Sequence, residues 1–520
     1  MVELLPAERG IRVSQPKAQL DARTLQKHDA AIFVCSRERA EDALAELPAA
    51  ALWQRLYRDA HSRGPVTLLS ARITPDAIPV VVAFAKSTAS AFERLMLGAR
   101  AWKELAPPAR ARVLLASQGL PEDTRTAAIE AMLAASLAAT APMPVMKSKG
   151  TKRSAPAAFT LLNGDSKLDT ARTVAIDRGN HLARWLTALP PNVLNTSGYR
   201  RALRDLARRE GWQFDFLDEA SLRRRNAGAF LAVARANQQR DAGIVRLRYR
   251  AAQRKNVRHL ALVGKGICFD TGGINLKTHK SMYDMHTDMQ GSAVAVGTLL
   301  ALSDLRAPYD IDCWLAITEN EIGARAFRPQ EVVSAANGVT IQVAHSDAEG
   351  RMVLADTLAI AARERPELLI DFATLTGACV NALTERYSGA FTNRPQWHEA
   401  IRAAGNRSGE RVWPFPMDED YDSDLESSIA DVLQCTPDSK GDHILAARFL
   451  NRFVPQQVPW IHIDLAASNR SGGLGHVPTD ITGFGVRYTV ELLDSGGLVV
   501  WSKAAEALST TPPKGATFAG

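Results

Sequence analysis

VGKGICFDTGG, running from Val263 to Gly273, follows directly on the apolar residues Leu260–Leu262. The apolar start reads as a buried strand and the glycines as a turn that closes it. A glycine turn behind a strand commonly cradles phosphate, but the phosphate-loop spacing is absent here. The stretch instead carries Lys265 and Asp270 among four glycines. Reactive groups in helix-flanked parallel sheets collect at the carboxyl ends of strands. A lysine and an aspartate at such an end, with glycines that admit a close ligand, mark the place to look for chemistry.

Working outward, strand-like runs recur at His259–Val263, Ile311–Ile317, Leu368–Phe372 and Trp460–Leu465, with helical stretches at Gly291–Leu305, Met352–Glu364 and Ile444–Phe453. Strand, crossover helix, strand predicts an α/β fold with a mostly parallel central sheet. EVVSAANGVTIQV, Glu331–Val343, adds a hairpin with Asn337-Gly338 as a type I′ turn. Toward the N-terminus, AIFVCS, VTLLSA, VVVAFA and VLLAS alternate with helix-like segments at Ala40–Ala60 and Thr88–Leu105. This predicts a smaller three-layer α/β domain, whose loops gather no His, Asp, Glu or Cys.

A chain of 520 residues exceeds one ordinary core. The proline-bearing, basic stretch Ala141–Ala158 reads as a linker, and Lys167–Leu189 as a long helix stopped by Pro190-Pro191. The expected division is 1–160 as a non-catalytic domain containing the 141–158 linker, 161–190 as a connecting helix, and 191–520 as the catalytic domain. Hydrophobic content of 46% with 23% charged residues is globular, and no apolar run is long enough to span a bilayer. The first residues show no secretory signal, and five scattered cysteines argue for reduced thiols and a cytoplasmic location. The net charge of +7 is concentrated in runs such as Arg223–Arg225 and Lys147–Arg153, which read first as solvated faces and only second as nucleic-acid contacts.

Three segments hold the polar groups that a strand-end site needs: Lys265, Asp270 and Lys277; then Asp284, His286 and Asp288; then Asp347, Glu349 and Arg351. In an extended loop, Asp347 and Glu349 would present two carboxylates on one side. Gathered with Asp270 and Asp288, they form a shell suited to two divalent cations about 3.5–4 Å apart. A lysine beside such a cluster is either its counter-ion or, deprotonated, a ligand. Blander readings exist residue by residue. Asp288 and Asp347 could be helix caps, Glu349 a first-turn acid, Gly272-Gly273 a tight turn and Lys265 a surface charge. His279, His286 and His345 lie nearby without ligand spacing.

LVGKGICFDTGGINLK, DMHTDMQGSA and HSDAEGRMVLADTL closely resemble the three active-site segments of the leucyl aminopeptidase (cytosol aminopeptidase) family. PPNVLN, FRPQEVV, DFATLTGACV, SGAFTN and TGFGVR extend the likeness from roughly Pro190 to Leu493; the first ~160 residues resemble that family's macro-like domain only in general layout. The resemblance implies two divalent metals, Mn²⁺ or Zn²⁺ with Mg²⁺ also compatible. They would be held by Lys265 as a neutral amine and by Asp270, Asp288, Asp347 and Glu349. Lys277 and Arg351 would be catalytic, with a bicarbonate ion on Arg351 as general base. A hydroxide held by the metals would hydrolyse the N-terminal residue, leucine-like by preference, from peptides with a free amino end. Met285, Thr374 and Ala466 would line the side-chain pocket, and the implied assembly is a homohexamer. The alternatives are a DNA-binding regulator of the same family and an inactive scaffold. Departures from the family pattern are His345-Ser346 before DAEGR, His286, Thr278, Ala467 and the stretch SKGDH at Ser439–His443.

Overall fold

In the computed structural model, residues 3–73, 77–148, 158–162, 167–252, 257–438 and 440–494 are described. Half of the 141–158 stretch, much of Lys147–Arg153 and Ser439 of SKGDH fall outside them. The chain divides into two units: Met1–Ala188 with Asn406–Glu410 and Asn469–Thr482, and Leu189–Gly405 with Arg411–Ser468 and Gly483–Gly520. The helix Thr170–Thr187 belongs to the first unit, which also receives two later pieces of chain.

The first unit is built on strands β1 (Arg12–Ser14), β2 (Ala30–Ser36), β3 (Leu68–Ile73), β4 (Ile78–Ala85), β5 (Arg112–Gln118) and β6 (Ala158–Leu162), in the order β1-β6-β5-β2-β4-β3. Only β3 runs antiparallel to its neighbour. Side chains alternate across β2. Ile32 and Val34 join Trp102 and Met132 on one face, while Phe33 and Cys35 join Leu44 and Trp53 on the other. Helices thus cover both faces of the sheet. The segment expected as one helix over Ala40–Ala60 is two, Ala40–Ala45 and Ala50–His61, because Pro48 and a left-handed Ala49 break it.

The second unit contains β7 (Gln213–Asp218), β8 (Gly243–Tyr249), β9 (Arg258–Asp270), β10 (Tyr309–Asn320), β11 (Val332–Ser334), β12 (Thr340–Gln342), β13 (Leu368–Ala373), β14 (Ser388–Thr392), β15 (Val412–Pro414), β16 (Val432–Leu433) and β17 (Trp460–Asp464). Eight of them form a sheet ordered β15-β14-β17-β13-β9-β10-β8-β7, with β17, β13, β9 and β10 mutually parallel. β9 runs seven residues past the expected Val263, so Lys265 is a strand residue, not a turn residue. Gly264 and Gly266 belong to the strand because a helix presses on them. A Cβ at Gly264 would lie 2.4 Å from Ser292 Cα, at the start of the helix Gln290–Asp304. On the opposite face Val263 and Ile267 share a core with Met352 of the helix Glu349–Ala362. Alternation along β9 therefore points Lys265 at the Glu349 helix and gives its glycines to the other.

The hairpin β11–β12 forms, but its turn is not type I′. Gly338 N donates to Ala335 O, and Gly338 has φ +94° while Asn337 stays outside the left-handed region. Among the described basic residues, Arg223 pairs with Glu219, Arg246 and Arg250 with Asp312, and Arg248 with Asp215. All five cysteines are reduced and buried. Among the described residues no helix is long and apolar enough to cross a membrane.

Candidate metal centre

Each segment singled out in the sequence arrives at the carboxyl ends of β9 and β13 by a different local route. Lys265 is pinned inside β9 and almost wholly buried, and Asp270 is that strand's last residue. The turn that follows reverses through Gly272 and Gly273, at φ +85° and +63°. A Cβ at Gly272 would lie 2.5 Å from Asn275 O and 3.0 Å from Asp347 Oδ1, so only glycine lets this turn close around the carboxylates. Ser346 ties the turn to the third segment: its Oγ donates to Gly272 O at 2.6 Å and accepts from Asn275 N at 2.8 Å.

The two lysines interleave with the four carboxylates. Lys265 Nζ lies 2.8 Å from Asp288 Oδ1 and 3.1 Å from Glu349 Oε1, and donates to Thr374 O at 2.8 Å. Lys277 Nζ lies 2.9 Å from Asp270 Oδ2 and 2.5 Å from Asp347 Oδ1. Ligand oxygens of Asp270, Asp347 and Glu349 come within 4.8 Å of one another. The capping readings fail for these residues. Asp288 spends its side chain on Lys265 and Thr374, the cap before Gln290 is Met289, and the cap before Glu349 is Ala348. Glu349 does open its helix. No histidine joins the cluster among the described residues, and His345 Nδ1 instead accepts from Asp347 N at 3.2 Å.

Four carboxylates against two ammonium groups leave a buried excess of negative charge. Burial, reinforced by repulsion from Asp270, pushes the Glu349 carboxyl up to about 8; burial likewise pushes Asp288 up to about 6, against the pull of Lys265. Asp288 Oδ2 is buried and has no hydrogen-bond partner. An orphaned carboxylate oxygen beside carboxylates that resist ionisation is an arrangement that a bound cation would satisfy. The residues fit divalent metal, with four carboxylates and one amine.

Sequence reading missed Asn320, at the end of β10 and in register with Asp270. Its Nδ2 donates to Asp270 Oδ1 at 2.9 Å and Ser346 O at 3.1 Å, orienting the carboxylates. It also missed Gln434, whose amide accepts from Ala344 N and His345 N and donates to Ala348 O, holding the third segment in place. Neither carries a motif; position opposite a strand end was the only signal. Of the pocket residues, Thr374 donates to Asp288 Oδ1 at 2.8 Å, Met285 is half-buried in the short turn before Asp288, and Ala466 is buried just after β17. The Arg351 guanidinium pairs with Asp442.

Residues 181–490 match the cytosol aminopeptidase family, catalytic domain. The chain belongs to that family. Probable cytosol aminopeptidases of a Synechococcus species and of Desulfovibrio desulfuricans are similar to this family member. The first is 39% identical over 322 residues, 62% of either chain; the second is 40% identical over 319 residues, 61% of this chain and 63% of the relative. The match thus spans a little under two thirds of these curated relatives. A tomato leucine aminopeptidase mutant superposes with a TM-score of 0.79 at 25% identity, over 94% of this chain and 98% of its own. The bottromycin maturation enzyme BotP in complex with Mn gives 0.75 at 27%, over 90% of this chain and 99% of its own. A cytosol aminopeptidase from Coxiella burnetii shares the fold, with a TM-score of 0.76 at 24% identity over 94% and 99%. The mixed α/β, mostly parallel architecture is therefore that of the leucine aminopeptidases.

Proposed function

We propose that this family member is a metal-dependent aminopeptidase that removes the first residue, leucine-like by preference, from peptides with a free N-terminus. The observation that carries the reading is the convergence of Lys265, Asp270, Asp288, Asp347 and Glu349 in one buried, negatively charged cradle. Two divalent cations bound there, Mn²⁺ or Zn²⁺ with Mg²⁺ also accepted, would polarise the scissile carbonyl and lower the pKa of water.

The chain's own residues do the rest. Asp270, Asp288, Asp347 and Glu349 would be the oxygen ligands, with Asn320 keeping Asp270 and Glu349 in orientation. Lys265 Nζ would give up its proton to serve as an amine ligand. Lys277, less deeply buried than Lys265, would keep its ammonium charge and donate a hydrogen bond to the oxyanion that develops on the attacked carbonyl. Thr374, fixed on Asp288, and the half-buried Met285 would border the side-chain pocket together with Ala466. Bicarbonate is not part of this proposal, because the Arg351 fork is already engaged. The same reading makes the chain a cytoplasmic homohexamer. The nucleic-acid alternative gains nothing from arginines that already face carboxylates.

The test is release of leucine from leucinamide and short peptides by the purified chain. Activity is expected after Mn²⁺ or Zn²⁺ loading, abolished by chelation and reduced at least about 100-fold in Glu349→Gln. Metal-loaded protein that binds two ions and still releases no amino acid from any free-amino substrate overturns the proposal.

A further inference from the structure

The free anion implied for Arg351 does not fit the Arg351 of this chain. The residue is 2% exposed. Its Nη2 donates to Asp442 Oδ1 at 2.8 Å and Oδ2 at 2.7 Å, and its Nη1 donates to Gln434 O at 3.2 Å. Nε is buried and without a partner, and one further N–H remains on Nη1. A planar oxyanion is gripped by two parallel N–H donors; the two left here, on Nε and Nη1, point in different directions, beside a carboxylate that repels a second negative charge.

Asp442 is well placed to stay. It is the first residue of the helix Asp442–Asn451, where unpaired backbone N–H groups favour a negative charge. Gly441 precedes it at φ +59°, a left-handed turn suited to glycine. A carboxylate delivered by the fold also acts at an effective concentration far above that of any dissolved anion.

We infer that Asp442 is the resident counter-anion of Arg351, standing where a dissolved bicarbonate would otherwise sit, and that catalysis by this chain is independent of bicarbonate. Asp442 acts through Arg351 and is a positioning residue. The inference rests on the aminopeptidase reading, but its binding readout does not.

The experiment uses full-length, metal-loaded protein in carbonate-free buffer. Wild type is expected to take up no bicarbonate by isothermal titration calorimetry and to show less than about a twofold change in kcat when bicarbonate is added. Asp442→Gly is expected to lose about 10- to 100-fold in kcat, to bind bicarbonate, and to recover activity saturably with bicarbonate or formate. Asp442→Ala, which vacates the same space and suits a helix start better than glycine, serves should the glycine variant fail to fold, with the same loss and rescue expected. Bicarbonate uptake and stimulation in wild type, or a foldable variant that loses activity with neither uptake nor rescue, overturns the inference. If wild type hydrolyses nothing while only the variants bind bicarbonate, the aminopeptidase reading fails and the Arg351–Asp442 assignment stands.

Discussion

Burial alone would drive a proton off Lys265, but Asp288, Glu349 and Asp270 surround its amine and hold the proton on. The same three carboxylates pull on any cation that comes to replace that charge. Lys265 can serve in this way only while its tip stays where β9 aims it, and Gly350 secures that position from the other side. A Cβ on Gly350 would lie 2.7 Å from both Lys265 Cε and Nζ, closer than real contacts allow. Backbone is not the obstacle; a lysine tip is, and it can move only by leaving its carboxylates. Gly350→Ala is therefore expected to fold with an unchanged circular dichroism spectrum yet bind metal about 10- to 100-fold more weakly. Wild-type affinity in that variant, measured by calorimetry, would show that Lys265 is not a ligand.

At the scale of elements, the antiparallel pair β8–β10 packs charge where the neighbouring parallel strands pack apolar side chains. Asp312 on β10 is buried and receives Arg246 Nη2 at 2.5 Å, Arg250 Nη1 at 3.0 Å and His259 Nε2 at 3.0 Å. Burial alone would raise this carboxyl, but His259 and Arg246 hold it down to about 2. A depressed carboxyl stabilises the fold above its unfolded pKa near 4, and that contribution disappears as pH falls through about 2. Between these limits wild type should lose about 2 kcal/mol that Asp312→Asn does not lose, read from denaturant unfolding of both proteins at each pH. Parallel curves would show that Asp312 is not depressed in the fold. This region also shows where the sequence was hard to read. QFDFLD and GIVRLRY, now β7 and β8, alternate polar with apolar residues, and the arginines of GIVRLRY resemble a solvated face. The central strands, apolar on both faces, were legible, and so were the three polar segments at their ends. The true length of β9 was not, because glycines that look like a turn are there for the helix beside them. Asn320 and Asp442 were invisible as site residues, since each is a lone polar group whose partner lies on a distant part of the chain.

In the molecule as a whole, every candidate ligand lies in the second unit, and among the described residues the first unit contributes none to the cluster. Cation binding should therefore stabilise one unit selectively, by about 2.7 kcal/mol at a hundredfold excess over Kd. Hydrogen exchange with and without chelator is expected to show lost protection in β9 and β13 and unchanged protection in β2 and β5. Equal loss in both sheets would place the cations elsewhere. The buried cysteines carry a different consequence. Burial pushes the Cys35 thiol up to about 12 and raises Cys268 and Cys313 as well, so the native protein offers little thiolate to a labelling reagent. Modification with an aromatic disulfide such as Ellman's reagent then becomes a built-in clock: each sulfur reacts only when its surroundings open, with Cys35 timing one unit and Cys268 the other.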